Sequence, residues 1–141
     1  MKKSKLIGAF EKVSFPDFGL FNLVAKIDTG ATSGSLHATR IKKIVLPTGE
    51  PALSFRPYGR KQEVAVNSFV LKDVRSSNGI VSKRYVIPTT IVIREVQYPI
   101  QISLADRSLM MKGVLIGRRF LRSHGFIVDP KKGTKYRYEV K

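Results

Sequence analysis

The sequence contains no cysteine, so disulfide bonds and thiolate metal sites are both excluded. It has only 2 histidines, His37 and His124, and neither belongs to the His-Glu-x-x-His pattern of zinc peptidases. Catalytic zinc needs three protein ligands, so the two imidazoles would need help from distant carboxylates. A glycine-rich loop ending in Lys-Ser or Lys-Thr, which would bind ATP, is also missing. We therefore predict no metal and no other cofactor.

Long hydrophobic runs are missing as well. Residues Met1–Lys5 have the positive start of a secretory signal peptide, but the apolar run from Leu6 to Phe10 is too short and Glu11 interrupts it. Nothing approaches the roughly 20 apolar residues of a membrane-spanning helix. The sequence predicts no membrane contact, and the cytoplasm is the default location.

Acidic residues are scarce, with 10 Asp and Glu against 26 Lys and Arg, and the formal net charge is +16. Such a field attracts polyanions, so nucleic acid, the ribosome surface and acidic polypeptides all qualify as partners. The basic residues are spread along the chain, with a basic tail from about Lys131. A solvated surface that only aids solubility has the same composition, and charge alone does not choose among these alternatives.

The chain of 141 residues, of which 43% are hydrophobic, is predicted to form a single domain over residues 1–141. Its β-branched and aromatic runs, separated by turn signals such as Pro47-Thr48-Gly49, predict strands along most of the chain. An all-β fold follows, with a closed or nearly closed barrel and one short helix over Arg118–Ser123. The predicted strands are Lys5–Phe15, Gly19–Asp28, Leu36–Leu46, Ala52–Tyr58, Glu63–Val74, Tyr85–Val96, Ile100–Leu104, Gly113–Ile116, Phe126–Val128 and Tyr136–Val140.

The most informative stretch is Ala25–Ala31, where an apolar run leads to Asp28 and then to a turn that contains Gly30. Glycine permits a sharp backbone bend just after the carboxylate. The residues Asp28-Thr29-Gly30-Ala31 resemble the active-site turn of aspartic proteases. Asp-Thr-Gly is also ordinary turn chemistry, so a purely structural role for Asp28 stays open on this motif alone.

A second motif, Val114–Leu121, has three apolar residues, then Gly117, then an arginine-rich segment. It resembles the second signature of retropepsins, in which the apolar strand crosses behind the Asp-Thr-Gly turn and its glycine allows close approach. A buried strand that ends in a glycine before a short helix has the same pattern. Both signatures in this order favour a peptidase-like fold.

Further blocks narrow the resemblance, which extends from about Lys5 to Pro130. They resemble the family named RimK-associated ATP-dependent zinc proteases, whose members have a retropepsin-like fold. The family usually has a basic residue and then Thr-Ser after the Asp-Thr-Gly-Ala turn, whereas this chain has Thr32-Ser33-Gly34. The blocks are Asp28–Ala31, Ser35–Ala38, Val74–Gly79, Arg84–Ile87, Ile102–Ser108, Leu115–Arg118 and Val128–Pro130.

The resemblance implies an aspartic-type endopeptidase that acts as a homodimer. Aspartic proteases use two carboxylates that share a proton, and this chain has one Asp-Thr-Gly, so a second copy would supply the other. Asp28, Thr29 and Gly30 would form the catalytic turn, with the Thr29 hydroxyl bracing the paired turns.

The hairpin signal Asn78-Gly79 comes at the place of the flap that covers the substrate in retropepsins. A plain surface turn fits the same residues equally well. If the hairpin is a flap, the resemblance assigns substrate contacts to Arg75, Ser76, Ser77 and Asn78. Ala31, on the floor of the cleft beside Gly30, is also assigned to substrate binding.

Gly117 and Arg118 are assigned to structural support of the turn. In retropepsins the corresponding arginine pairs with a carboxylate, and that position is Thr32 here. Asp106 or Glu63 could take its place. His37 lies in a family block, and a hydrogen-bonded structural role is its favoured interpretation.

The expected function is therefore that of a retropepsin-like aspartic peptidase acting on a polypeptide. RimK adds glutamates to a ribosomal protein, so the family association suggests an acidic or glutamylated ribosomal-protein tail as substrate. The rival is a non-enzymatic binding module for ribosome, RNA or acidic protein segments that keeps the same barrel.

Overall fold

The computed structural model describes residues 5–75 and 78–139, and within them it contains one α-helix and mostly strands. The predicted all-β class with one short helix is confirmed, because the helix α1 spans Arg118–Ser123 as expected. The strands are β1 (Leu6–Gly8), β2 (Phe10–Phe15), β3 (Leu20–Asp28), β4 (Gly34–Val45), β5 (Pro51–Pro57), β6 (Val64–Val66), β7 (Val70–Arg75), β8 (Val81–Ile93), β9 (Val96–Ala105), β10 (Val114–Gly117) and β11 (Ile127–Asp129). Two 3-10 turns lie at Pro16–Phe18 and Thr134–Tyr136.

The strands of the larger sheet close into a ring. Their order is β10-β3-β2-β8-β9-β4, and β10 pairs with β4 as well as with β3. β5 and β6 extend the sheet outward from β4, and β7 pairs with β8. β1 and β11 form a separate parallel pair. The ring places the ends of β3, β4 and β10 side by side, and the candidate site is built there.

The core follows the two-residue period of the strands. On β9, Ile100, Ile102 and Leu104 are buried and Gln101 is exposed, as the alternation predicts. Ser103 departs from this pattern because it is also buried, with its hydroxyl donating to the Gly34 carbonyl over 2.9 Å. A buried hydroxyl is tolerated when it is hydrogen-bonded in this way.

The strand predicted over Glu63–Val74 is wrong, because residues 67–69 separate β6 from β7. β6 pairs with β5 and β7 pairs with β8, so the two halves belong to different parts of the sheet. The strand predicted over Lys5–Phe15 is likewise interrupted at Ala9, whose N–H donates to the Lys132 carbonyl over 2.8 Å.

The closing strand predicted over Tyr136–Val140 is also wrong for its described part. Tyr136 ends a 3-10 turn that follows Gly133, which has φ +75°. The nearly buried Lys112 side chain donates through Nζ to the Tyr136 carbonyl over 2.7 Å and also to the Glu139 carbonyl. Hydrogen bonds from Lys112 therefore help to hold residues 136–139, for which the sequence predicted a strand.

The predicted hairpin at Asn78-Gly79 is confirmed, since β7 and β8 are antiparallel and Arg75 stands opposite Val81. Gly79 has φ +89°, and the Asn78 side chain accepts a hydrogen bond from the Ile80 N–H over 3.3 Å. Ser76 and Ser77 lie outside the described residues. Across the described residues, helices are too short or too polar to span a membrane.

Candidate active site

Asp28 is the last residue of β3 and lies at the start of a tight turn. The Gly30 N–H donates to Asp28 Oδ1 over 2.9 Å, and the Ala31 N–H donates to the Asp28 carbonyl over 3.2 Å. The main chain thus fixes one oxygen of the carboxylate, while Thr29 and Gly30 beside it are exposed. The turn holds a half-buried carboxylate in a defined orientation at the protein surface.

β10 supports this turn from behind. It runs parallel to β3, with Gly117 in register with Asp28. A Cβ atom on Gly117 would lie 2.6 Å from the Ser33 carbonyl carbon, and one on Gly34 would lie 2.7 Å from the Leu115 carbonyl oxygen. Only glycine fits at such distances from a backbone, so both glycines allow the strands to cross closely. The sequence motif identified Gly117 but not Gly34.

Arg118, which directly follows β10, binds the Asp28 turn. Its Nη1 donates to the Gly30 carbonyl over 3.1 Å and reaches the Thr29 carbonyl at 3.5 Å, while Nη2 donates to Thr32 Oγ1 over 3.1 Å. The guanidinium therefore holds three acceptors of one turn. Its five donors in a rigid fork suit it to this task.

Asp106 and Glu63, the two carboxylates considered as partners of Arg118, each have another neighbour in the structure. Glu63 lies 3.7 Å from Arg56, and Asp106 lies 3.8 Å from Nδ1 of His37. Thr32 itself supplies the acceptor through its hydroxyl. In retropepsins a carboxylate occupies the position of Thr32. Here the neutral hydroxyl of Thr32 takes its place, and the hydrogen bond with Arg118 is kept.

A cleft of about 390 Å³ lies beside the turn. One wall is formed by residues 32–34, directly after Ala31, and the facing wall includes Lys72 and Arg75 of β7. Arg75 thus lines the same cleft as residues 32–34, whereas Asn78 is at the hairpin tip and is not among the lining residues. Ala31 is 5% exposed and its carbonyl accepts the Arg118 N–H over 2.9 Å, so here it braces the turn. Substrate contacts by these residues remain predictions.

His37 is a buried structural residue. Its Nδ1 accepts a hydrogen bond from the Arg107 N–H over 2.9 Å, and its ring meets the Tyr58 ring edge-on at 5.8 Å. The hydrogen-bonded structural role favoured from the sequence matches this geometry. Within residues 5–75 and 78–139, the structure brings no three His, Cys, Asp or Glu side chains together as a metal-binding group.

Arg107 carries a buried charge near Asp28. Its side chain is largely buried, and Nε donates to the Lys112 carbonyl over 3.1 Å. Burial lowers the pKa of the guanidinium, the neighbouring charge of Arg84 lowers it further, and Tyr58 and Asp28 oppose both effects. These four groups are therefore within electrostatic reach of one another.

Arg84 and Tyr58 complete a cluster that the motifs did not assign to the site. Arg84 donates to Ser35 Oγ over 3.5 Å and to Ser82 Oγ over 3.1 Å. Burial raises the pKa of Tyr58, while a hydrogen bond with the Gly113 backbone and the charges of Arg60 and Arg107 oppose this shift. Strand parity could have indicated Arg84, because it lies two residues before the buried Val86 and so shares its face.

Comparison with known proteins gives matches over nearly the whole chain. A family model described as the retropepsin-like aspartic endopeptidase RimB, of the RimB-like family, matches residues 6–137. A crystal structure of a Legionella pneumophila protein of unknown function has a TM-score of 0.71 and 29% sequence identity, covering 91% of this chain and 95% of that chain.

Curated relatives named probable alpha-L-glutamate ligase are considerably longer than this chain. The one from Shewanella halifaxensis is 32% identical over 133 residues, which are 90% of this chain and 29% of that protein. The one from Parasynechococcus marenigrum is 31% identical over 136 residues, or 93% of this chain and 29% of that protein. The chain thus spans less than a third of the length of these relatives. The family resemblance drawn from the ordered sequence blocks is confirmed by the family model.

Proposed function

Because the chain belongs to the RimB-like family of retropepsin-like aspartic endopeptidases, we propose that it hydrolyses peptide bonds with Asp28 as its catalytic carboxylate. The observation that carries this proposal is the geometry of the turn. Asp28 is half-buried at the end of β3, one of its oxygens accepts the Gly30 N–H, and Arg118 holds the carbonyls around it. A carboxylate held in this way is preorganised to act on a water molecule without first being ordered.

The reaction requires a second carboxylate, and a second copy of the chain is the proposed source. In an aspartic dyad one carboxylate takes a proton from the attacking water while the other, protonated, donates to the scissile carbonyl. Each chain has a single Asp-Thr-Gly, at residues 28–30. A two-fold axis beside the exposed residues Thr29 and Gly30 would bring two Asp28 side chains together.

The proposed substrate is a polypeptide with acidic residues, and the proposed location is the cytoplasm. Two observations support the acidic substrate. The net charge of +16 attracts acidic chains, and the curated relatives that contain a similar segment are named glutamate ligases. A peptidase that removes glutamates, as from a glutamylated ribosomal-protein tail, would reverse what such a ligase adds.

The alternative is a binding module for ribosome, RNA or acidic protein segments. The same net charge of +16 supports it, because electrostatic attraction does not depend on catalysis. The peptidase requires the Asp28 carboxylate for catalysis, whereas the binding module requires Asp28 only as part of the fold.

Asp28→Asn tests the proposal. Asparagine keeps an Oδ1 that can accept the Gly30 N–H, so the turn should stay folded while turnover of peptide substrates is lost. Cleavage is measured by mass spectrometry on a mixture of unstructured peptides, and folding by circular dichroism. Cleavage by the wild type with none by the folded variant supports the peptidase. Equal cleavage by both proteins, or by neither, contradicts it.

Mixing the two proteins tests the dyad. An excess of Asp28→Asn chains should suppress wild-type activity as subunits exchange into mixed dimers, and activity should show a bell-shaped pH profile that belongs to the pair. Full activity at concentrations where sedimentation detects only monomer would refute the two-chain dyad.

A further inference from the structure

The cleft beside the Asp28 turn is lined by positive charges from two separate parts of the chain. Lys72 and Arg75 of β7 line one side, and Arg119 of α1 lines the cleft together with residues 32–34, which follow the turn. All three cations are exposed, so a ligand that enters the cleft meets them without any rearrangement of the core. The volume of about 390 Å³ lies within the range of roughly 300–1,000 Å³ that is usual for ligand pockets. The cleft is therefore large enough for a substrate side chain.

The alternation of side chains along β7 places Lys72 on the face of the hairpin that borders the cleft. Val70 pairs with Val86, which is buried and lines the cleft, and Lys72 shares that face because it lies two residues after Val70. Asp73, which also borders the cleft, is on the opposite face of the strand, and its carboxylate lies 3.2 Å from the Lys83 amine. This acid already has a basic partner, so the net charge that the cleft presents to a ligand is positive.

The interior of the cleft has an apolar patch formed by Val86, Ile100 and Phe120. All three line the cleft and are only 5–8% exposed. Methylene groups of a ligand would bury this patch favourably, whereas a phosphate group has no apolar part to cover it. Glutamate carries two methylene groups before its carboxylate. The apolar patch and the cations around it therefore favour a glutamate side chain over a nucleic-acid backbone.

We propose that Lys72 and Arg119 bind the carboxylate of a substrate glutamate whose methylene groups pack on the apolar patch. The proposal rests on the peptidase function and names the residues that select its substrate. A guanidinium group can donate two parallel hydrogen bonds to a carboxylate, and the lysine adds a second positive charge. Residues 32–34 connect the cleft directly to the Asp28 turn, so the bound glutamate would lie to one side of the scissile bond.

The test uses Asp28→Asn protein, so that binding is measured without cleavage. The probes are oligoglutamate, oligoaspartate and oligoglutamine peptides of equal length, titrated calorimetrically at one ionic strength. Adding Arg119→Ala should weaken oligoglutamate binding by about fivefold or more, and adding Lys72→Ala by about threefold, because each removes a hydrogen bond between charged groups. Oligoaspartate should bind about fourfold more weakly than oligoglutamate, because the side chain in the cleft buries one methylene group fewer.

Two exposed residues that are not among those lining the cleft serve as matched controls. Arg122→Ala changes the same helix as Arg119→Ala, and Lys43→Ala removes a lysine from a strand as Lys72→Ala does. Each control removes one positive charge and should change the affinity by less than about twofold. The subsite is refuted if oligoglutamine or oligoaspartate binds as well as oligoglutamate, or if the controls weaken binding as much as the cleft variants. Circular dichroism checks folding, and if one cleft variant is unfolded the other decides.

A single-stranded RNA probe and a cleavage assay complete the test. If RNA loses as much affinity as oligoglutamate in both cleft variants, the cleft does not select carboxylates and the subsite is refuted. Cleavage by the wild-type protein without preference for glutamate leaves the peptidase standing and removes the subsite. Binding of oligoglutamate that depends on Lys72 and Arg119 without any cleavage keeps the subsite as a recognition site and removes the peptidase.

Discussion

At the scale of single residues, Thr32 shows how a motif can change while its contact is kept. Its hydroxyl accepts a hydrogen bond from Arg118 at the position where a carboxylate was expected. The other acceptors of that guanidinium are the carbonyls of Thr29 and Gly30. The arginine therefore supports the turn through neutral acceptors.

Arg118→Lys should reduce peptidase activity by about tenfold or more and lower the free energy of unfolding by about 1–2 kcal/mol, because a lysine cannot hold three acceptors in a fixed geometry. Activity and urea unfolding are measured on the same preparations. Arg122→Lys on the same helix is the control and should change neither. Wild-type activity in Arg118→Lys would mean that the turn keeps its shape without the hydrogen bonds of the guanidinium group.

Tyr58 predicts a pH dependence of stability in the alkaline range. Burial raises its pKa in the folded protein above the ordinary value of about 10. Below about pH 10 the phenol is neutral in both states and its contribution is fully present. As the pH rises further, the unfolded chain loses the proton first, so stability falls towards and through the folded pKa.

Tyr58→Phe should therefore lose less stability than the wild type between about pH 9 and pH 11, as measured by urea unfolding midpoints. Tyr138→Phe removes a phenol that is 77% exposed and should behave like the wild type. Parallel curves for the wild type and Tyr58→Phe would show that this phenol titrates normally.

At the scale of secondary-structure elements, the helix α1 and the Asp28 turn satisfy each other's hydrogen bonds. The first N–H groups of a helix have no partner within it. In α1, the Arg118 N–H donates to the Ala31 carbonyl over 2.9 Å and the Arg119 N–H donates to the Thr32 carbonyl over 3.0 Å. The carbonyls of the turn thus accept hydrogen bonds from the first N–H groups of the helix. The same hydrogen bonds hold the turn in place. The helix over residues 118–123 therefore also helps to position the turn that contains Asp28.

Lys112 connects two further elements, the loop before β10 and the C-terminal segment. Its amine donates to the carbonyls of Tyr136 and Glu139. Lys112→Met should lower the free energy of unfolding by about 1–3 kcal/mol, since it removes charge-assisted hydrogen bonds. Trypsin should also cut residues 131–137 faster. Lys131→Met, which changes an exposed side chain, is the control for stability. Unchanged stability in Lys112→Met would show that the segment docks without this amine.

At the scale of the whole molecule, the charge of +16 acts over distance, whereas hydrogen bonds to a bound peptide act on contact. Salt separates the two contributions, because the screening length falls from about 10 Å at 0.1 M salt to about 3 Å at 1 M. Binding of poly-glutamate by Asp28→Asn protein should weaken steeply as salt rises. Competition with poly-glutamate at each salt concentration measures this. Much tighter binding of RNA than of poly-glutamate at equal salt would favour the binding module instead.

The sequence by itself determined the features that depend on neighbouring residues. The strand that leads to Asp28, the hairpin at Asn78-Gly79 and the helix over Arg118–Ser123 all appear as predicted. Each is specified by local backbone preference, by the alternation of side chains or by a glycine in a turn. The crossing at Gly117 was predicted for a different reason, namely the resemblance of this motif to the second signature of retropepsins.

Tertiary structure alone decided the features that join distant parts of the chain. The split of the predicted strand Glu63–Val74 follows from different partner strands for β6 and β7. The acceptors of Arg118 and the meeting of Arg84 and Tyr58 near Arg107 depend on packing across the ring. The local sequence pattern does not predict such contacts. The alternation of side chains along a strand is the same whether an arginine faces water or a second arginine. Only closure of the ring β10-β3-β2-β8-β9-β4 brings these charges to Asp28.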